Sequence, residues 1–129
     1  MTPEMNNGYA QYKQQSITTM SQGEMLVFLY DEIIKRLVKA KLVHANKEFT
    51  AFENEVGRAR EIIMYFQQTL DTRYAISADL FRLYEFLTFQ MSRVITGRRV
   101  ELIDEIMPFI TELRDTWKEA DKLSKMNRK

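Results

Sequence analysis

Apolar side chains recur at intervals of three and four residues in four separate stretches of the chain, which is the period of an amphipathic helix. The first stretch continues to Ala40 after a capping box, SQGE at residues 21–24. The second reaches Leu70 after a similar box, TAFE at residues 50–53, and its steps alternate between four and three as in a coiled-coil seam. Both stretches are therefore predicted to be long amphipathic helices.

Two further helices follow after a short connection. The third apolar stretch runs from Ile76 to Val94, and Gly97 just beyond it is a good helix stop. The fourth contains Pro108, which removes a backbone donor and crowds the preceding turn, so we expect a kink or a split there. The predicted helices cover residues 21–46, 50–70, 75–96 and 99–123, with a basic tail over residues 125–129.

Short links between amphipathic helices place successive helices side by side and antiparallel. The predicted fold is therefore all-α, an antiparallel four-helix bundle over residues 21–124. Residues 1–20 form a separate N-terminal segment that is polar overall but carries Tyr9, Tyr12, Ile17 and Met20. Such a segment is either mobile or covers an apolar groove on the bundle.

The composition of the chain argues against several classes of protein. A chain of 129 residues is expected to form one domain, and a net charge of +1 gives no field that would attract nucleic acid. There is no cysteine, which excludes a disulfide framework and thiol chemistry. No apolar run approaches the ~20 residues that a membrane-spanning helix needs. These features fit a cytoplasmic protein that neither binds nucleic acid nor inserts into a membrane.

Residues for catalysis, metal binding or cofactor binding are not found in the pattern. His44 is the only histidine, and the Glu-x-x-His motif of a di-metal bundle fails because Lys41 stands at its first position. The glycines are too far apart to form a phosphate-binding loop. The pairs Arg58/Arg60 and Arg98/Arg99 are more typical of a solvated surface than of a phosphate site. We therefore predict no catalytic, cofactor or metal residues, and no enzyme.

The helices carry more apolar surface than one core-facing stripe requires. In a four-helix bundle no helix is surrounded, so part of this surface is expected to face a partner. The alternative is that the first and third helices, which carry this surplus, are both central in the bundle and that all these residues belong to the core. From angular position alone, the predicted partner-binding residues are Ile34, Val38, Phe81, Tyr84 and Phe89, and the residues predicted to cover their groove are Tyr9, Tyr12, Ile17 and Met20.

Short pieces of the sequence, in this order and spacing, resemble the family of the flagellar secretion chaperone FliS, the cytoplasmic chaperone of flagellin. The N-terminal pieces are Tyr9-Ala-Gln, Ile17, Met20-Ser21 and the run from Leu26 to Asp31. The central pieces include Ile62-Ile63, Leu70-Asp71, Leu80 and Leu83-Tyr84, and Leu113-Arg114 and Trp117 close the match. The chain departs from the family pattern at Gln22, at Glu32 and before the third helix.

The resemblance implies a specific function. Such chaperones bind the disordered C-terminal segment of flagellin, prevent its premature polymerisation in the cytoplasm and aid its delivery to the flagellar type III export gate, with no cofactor or reaction. It also implies that Tyr9 helps to present the complex to the gate, and it leaves room for a further flagellar regulator or adaptor as a partner. The alternative from the residues alone is a self-associating helical bundle whose surplus apolar surface meets its own copy.

Overall fold

The computed structural model describes residues 20–127. Within this range four α-helices follow one another: α1 Gln22–Ala45, α2 Phe49–Gln68, α3 Ile76–Gly97 and α4 Glu101–Met126. Helix α1 packs on α2 and α4, α2 packs on α3, and the contact between α3 and α4 is the least extensive of the four. The predicted all-α four-helix bundle is confirmed. Tyr9, Tyr12 and Ile17 lie outside the described residues.

The core is built from the helical stripes that the sequence pattern indicated. Each helix contributes four or five fully or almost fully buried residues. Central members are Ile33 and Leu37 of α1, Val56 and Ile63 of α2, Leu87 and Met91 of α3, and Ile106 and Ile110 of α4. Burial of these side chains, at about 25 cal/mol per Å² of apolar surface, is the main force that holds the bundle together.

Only the first of the two predicted capping boxes forms a cap. The Ser21 side chain accepts from the backbone N–H of Glu24 at 3.1 Å, which satisfies one of the free donors at the start of α1. Helix α2 instead begins at Phe49 after Glu48, which makes no side-chain cap, so the box predicted at Thr50 is wrong. Thr50 lies within the first turn of α2, because α2 starts one residue earlier than the pattern indicated.

Two predicted helix features differ in the structure. The left-handed residue after α3 is Arg98, with φ 50°, and Gly97 is the last helical residue before it. Helix α4 runs unbroken through Pro108 to Met126, so the predicted split is wrong. Pro108 lies on the exposed side of α4, where water can satisfy a carbonyl that lost its intrahelical donor.

Candidate partner-binding site at one end of the bundle

An apolar pocket of about 420 Å³ opens at one end of the bundle, where α1 and α3 begin and α2 and α4 approach their ends. We call it the end pocket; its main lining residues are Leu26, Leu70, Ile76, Leu80, Tyr84 and Trp117. The pocket lies far from the α3–α4 connection at Gly97–Glu101. Since α3 and α4 contact each other least, a gap remains between them at this end of the bundle.

Tyr84 lines the end pocket, and a second buried tyrosine, Tyr30, is bonded to it in the core. The hydroxyl groups of Tyr30 and Tyr84 share a hydrogen bond of 2.7 Å, and both side chains are almost completely buried. The Phe66 ring packs against both, with its centroid 4.7 Å from that of Tyr30 and 5.9 Å from that of Tyr84. Burial raises the pKa of both phenols above its ordinary value.

Trp117 of α4 forms one wall of the pocket. Its side chain is partly buried, and its indole Nε1 is enclosed with no hydrogen-bond partner among the described residues. Trp117 also lines a neighbouring depression that includes Ser21 and Leu26, at the start of α1. Ser21, which caps the start of α1, therefore lies beside this wall.

The mouth of the pocket is formed by the connection between α2 and α3. Tyr74 and Ile76 are 64% and 59% exposed there, although both are large and apolar. The connection is held by Asp71, whose carboxylate accepts from the backbone N–H of Arg73 at 3.0 Å and from its guanidinium at 2.7 Å. The hydrogen bonds from Arg73 lower the pKa of Asp71 below its ordinary value.

The size and lining of the pocket suit the binding of apolar groups. Its volume falls within the ~300–1,000 Å³ typical of ligand pockets, and its lining is mostly aliphatic and aromatic. Within residues 20–127, no group of histidine, cysteine, aspartate or glutamate side chains is arranged to hold a metal ion. The arrangement can accept large apolar side chains from another segment of polypeptide.

The structure does not bring the five predicted partner-binding residues together. Tyr84 lines the end pocket, although its side chain is only 2% exposed. Ile34 is partly buried against the core. Val38, Phe81 and Phe89 are 48%, 44% and 62% exposed, and none of them lines the end pocket. Contact of these residues with a partner remains a prediction.

Sequence reasoning missed most of the residues that form the pocket. Leu26, Leu80 and Trp117 belong to the apolar stripes of their helices, so the sequence pattern alone does not separate them from the core. Each is partly buried against the core and lies near the end of its stripe that meets the pocket. Tyr74 gave a signal that could have been used, because it is a large aromatic residue that directly follows three polar residues in a short connection.

The described helices include none that is long and apolar enough to cross a membrane.

Comparisons with a family model and with curated proteins point to the same family. The family model described as flagellar protein FliS matches residues 5–124. A curated relative, the flagellar secretion chaperone FliS of Bacillus subtilis (strain 168), is 24% identical over 116 residues, which is 90% of this chain and 87% of the relative.

Proposed function

The chain belongs to the flagellar protein FliS family, and on that premise we propose that it is a flagellar secretion chaperone that binds the disordered C-terminal segment of flagellin. The observation that carries the proposal is the open, mostly apolar end pocket with exposed Tyr74 and Ile76 at its mouth. The printed name of the Bacillus subtilis relative supports the chaperone role. Bound to this chain, the flagellin segment is kept from polymerising and is delivered to the flagellar export gate.

The end pocket supports recognition of an amphipathic segment. A helix that forms on binding presents apolar side chains at intervals of three and four residues, and one or two of these can enter the pocket. Ordering such a segment costs several kcal/mol, so the segment must bury a large area beyond one pocket. At roughly 25 cal/mol per Å², each large side chain buried contributes about 1.5–3 kcal/mol toward that cost.

We also propose that residues 1–20 compete for the same pocket through Tyr9, Tyr12, Ile17 and Met20. Support comes from the point of attachment, because Ser21 lines a depression together with Leu26 and Trp117, which are both pocket residues. A segment tethered at that point acts at an effective concentration of about millimolar. It would shield the apolar lining when no client is bound and yield to flagellin.

The pocket is tested with two matched substitutions of exposed aliphatic residues. Ile76→Ser removes an apolar side chain from the pocket mouth, whereas Leu42→Ser changes a residue of α1 that is 63% exposed and lies outside the pocket lining. We expect Ile76→Ser to weaken binding of a labelled C-terminal flagellin segment by about tenfold or more, measured by fluorescence anisotropy. Leu42→Ser should leave the affinity unchanged. Equal affinities for both variants and the parent chain would remove the end pocket from the proposal.

A further inference from the structure

The outer side of α3 carries a second surface that shares no residue with the end pocket. It is a shallow depression of about 520 Å³. We call this surface the Phe89 face. It comprises Arg60, Arg82, Phe86 and Phe89, which line the depression, and Arg93, which the helical spacing places on the same side of α3. Phe89 is 62% exposed and Phe86 is 40% exposed, and the Phe86 ring meets Phe109 of α4 edge to face at 5.7 Å. Exposed aromatic residues in a group mark an interaction surface more often than isolated ones do.

The charges around these rings are unbalanced. Arg60 donates from Nε to the Thr88 carbonyl and from Nη1 to the Met64 sulfur, both at 3.2 Å, so its guanidinium is oriented by neutral acceptors. Arg93 likewise donates to the side-chain oxygen of Gln90 at 2.9 Å. In residues 20–127 neither arginine forms an ion pair. Glu85 is the one carboxylate that lines the depression.

The third arginine of the face, Arg82, can exchange its carboxylate partner within the chain for one on a bound protein. Arg82 pairs with Asp79 at 2.6 Å, but the two side chains are 73% and 75% exposed. Such a surface pair contributes little free energy, so a partner carboxylate can replace Asp79 at small cost. The face therefore offers cationic side chains around an apolar centre.

The spacing of these residues fixes the geometry of the face. Arg82, Phe86, Phe89 and Arg93 follow one another at intervals of four, three and four residues, which places them on one side of α3. Arg60 reaches the same depression from α2. Along the axis of α3, Arg82 precedes the two phenylalanines and Arg93 follows them. A partner helix that crosses α3 over Phe86 and Phe89 would therefore carry the side chains on both flanks of its apolar stripe toward arginines. We propose that the Phe89 face docks an amphipathic helix of a partner protein whose apolar stripe is flanked by acidic residues, independently of the end pocket.

The chemistry of the face supports an acidic helix over a neutral or basic one. Aromatic residues and arginine are the side chains most enriched at interface centres, and here they stand side by side. Charge complementarity mainly sets specificity and the rate of association, so the preference for acidic flanks should be strong at low ionic strength. It should weaken as salt screens the arginines.

Two designed peptides test the charge preference directly. Both are 18-residue helices with the same leucine stripe; one has glutamate on both flanks and the other has lysine. Fluorescence anisotropy with the full chain should show that the glutamate peptide binds about tenfold tighter or better at low salt, with a smaller ratio at high salt. Equal affinity of the two peptides would overturn the proposal, as would a failure of the glutamate peptide to bind.

Variants locate the binding surface. Phe89→Ser and Arg93→Glu should each weaken binding of the glutamate peptide at least about fivefold, since they remove an apolar anchor and a cationic flank. Phe81→Ser is the matched control, because Phe81 is also on α3 and is 44% exposed but does not line the depression. Arg93→Glu avoids the α2–α3 hydrogen bond of Arg60 and should leave the melting temperature unchanged. A loss with Phe81→Ser equal to that with Phe89→Ser would contradict the assignment.

Two further measurements separate other occupants from the one proposed. A saturating flagellin segment should leave the affinity for the glutamate peptide unchanged; displacement would assign the face to flagellin and overturn the inference. Sedimentation of the full chain should show a monomer; a dimer that dissociates on Phe89→Ser would assign the face to a second copy. A flagellin segment that does not bind at all would refute the proposed function but leave the peptide results intact.

Discussion

At the scale of single residues, Tyr84 is both a pocket residue and a core residue, which the sequence analysis treated as alternatives. It lines the end pocket, and its hydroxyl group bonds to Tyr30 within the core. Only its angular position on α3 was available from the sequence, and that position lies at the edge of the apolar stripe. Whether such an edge residue is covered depends on the neighbouring helices, and here Phe66 of α2 covers it.

The position of Tyr84 predicts opposite outcomes for two similar substitutions on α3. Tyr84→Asp places a carboxylate at a site that is 2% exposed and leaves the Tyr30 hydroxyl without its partner, so we expect a loss of about 4 kcal/mol or more and a chain that is largely unfolded. Phe81→Asp places the same carboxylate at a site that is 44% exposed and should retain the helical signal. Circular dichroism and thermal melts measure both. A folded Tyr84→Asp chain would return Tyr84 to the open surface first expected from its sequence position.

At the scale of helices, the two tight links both contain a residue other than glycine in the left-handed conformation. After α1, Lys47 donates to the His44 carbonyl and Glu48 donates to the Val43 carbonyl, each at 2.9 Å, with Lys47 at φ 61°. After α3, Arg99 donates to the Val94 carbonyl at 3.1 Å, with Arg98 at φ 50°. The link after α1 has both bonds of the Schellman arrangement, whereas after α3 the N–H of Arg98 also donates to the Val94 carbonyl. Glycine usually occupies the left-handed position in such links.

The left-handed lysine predicts a stabilising substitution. A side chain at positive φ costs about 1–2 kcal/mol, and glycine removes that cost but gains entropy in the unfolded state. Lys47→Gly should therefore stabilise the chain by about 0.5–1 kcal/mol, seen as a higher urea midpoint at constant slope. The control Lys35→Gly, within α1, should instead destabilise it by about 1 kcal/mol. Destabilisation by Lys47→Gly would mean that its side chain has a role that the backbone geometry does not reveal.

Helix number, order and core stripes were predictable because periodicity is a local property of the sequence. The left-handed conformation of Arg98 was not predictable in the same way. Glycine is the residue usually found in that conformation after a helix, so the pattern indicated Gly97, one residue too early. What holds Arg98 is a tertiary contact: its guanidinium lies 4.4 Å from the centre of the Phe49 ring on α2. The continuity of α4 through Pro108 was missed for a related reason. The cost of the backbone hydrogen bond that proline removes depends on whether the freed carbonyl is exposed to water, and that depends on the packing of the helices.

At the scale of the whole molecule, the end pocket results from how the helices are joined. Helix α4 is fixed to the start of α1 by Lys125, which pairs with Glu24 at 2.7 Å and with Asp121 at 3.1 Å. Gly23 allows this approach, since a side-chain carbon there would collide with the Asp121 carboxylate. The end of α4 is thereby held against α1, while α3 keeps little contact with it. The close contact of α4 with α1 and its sparse contact with α3 cannot be inferred from the pattern of a single helix. The sequence therefore predicted a surplus of apolar surface but not where that surface lies.

This geometry predicts how the N-terminal segment and flagellin share the pocket. Trp117 is the only tryptophan of the chain and forms a wall of the pocket, so its fluorescence reports whether the lining is wet. If residues 1–20 occupy the pocket, removing residues 1–19 should shift the emission of Trp117 to the red and tighten binding of the flagellin segment, because a competitor at about millimolar effective concentration is gone. Adding flagellin to the truncated chain should return the emission to the blue, whereas the full chain should show a smaller change as one apolar cover replaces another. A truncated chain that binds flagellin more weakly would mean that the segment contributes contacts to the client instead of competing with it.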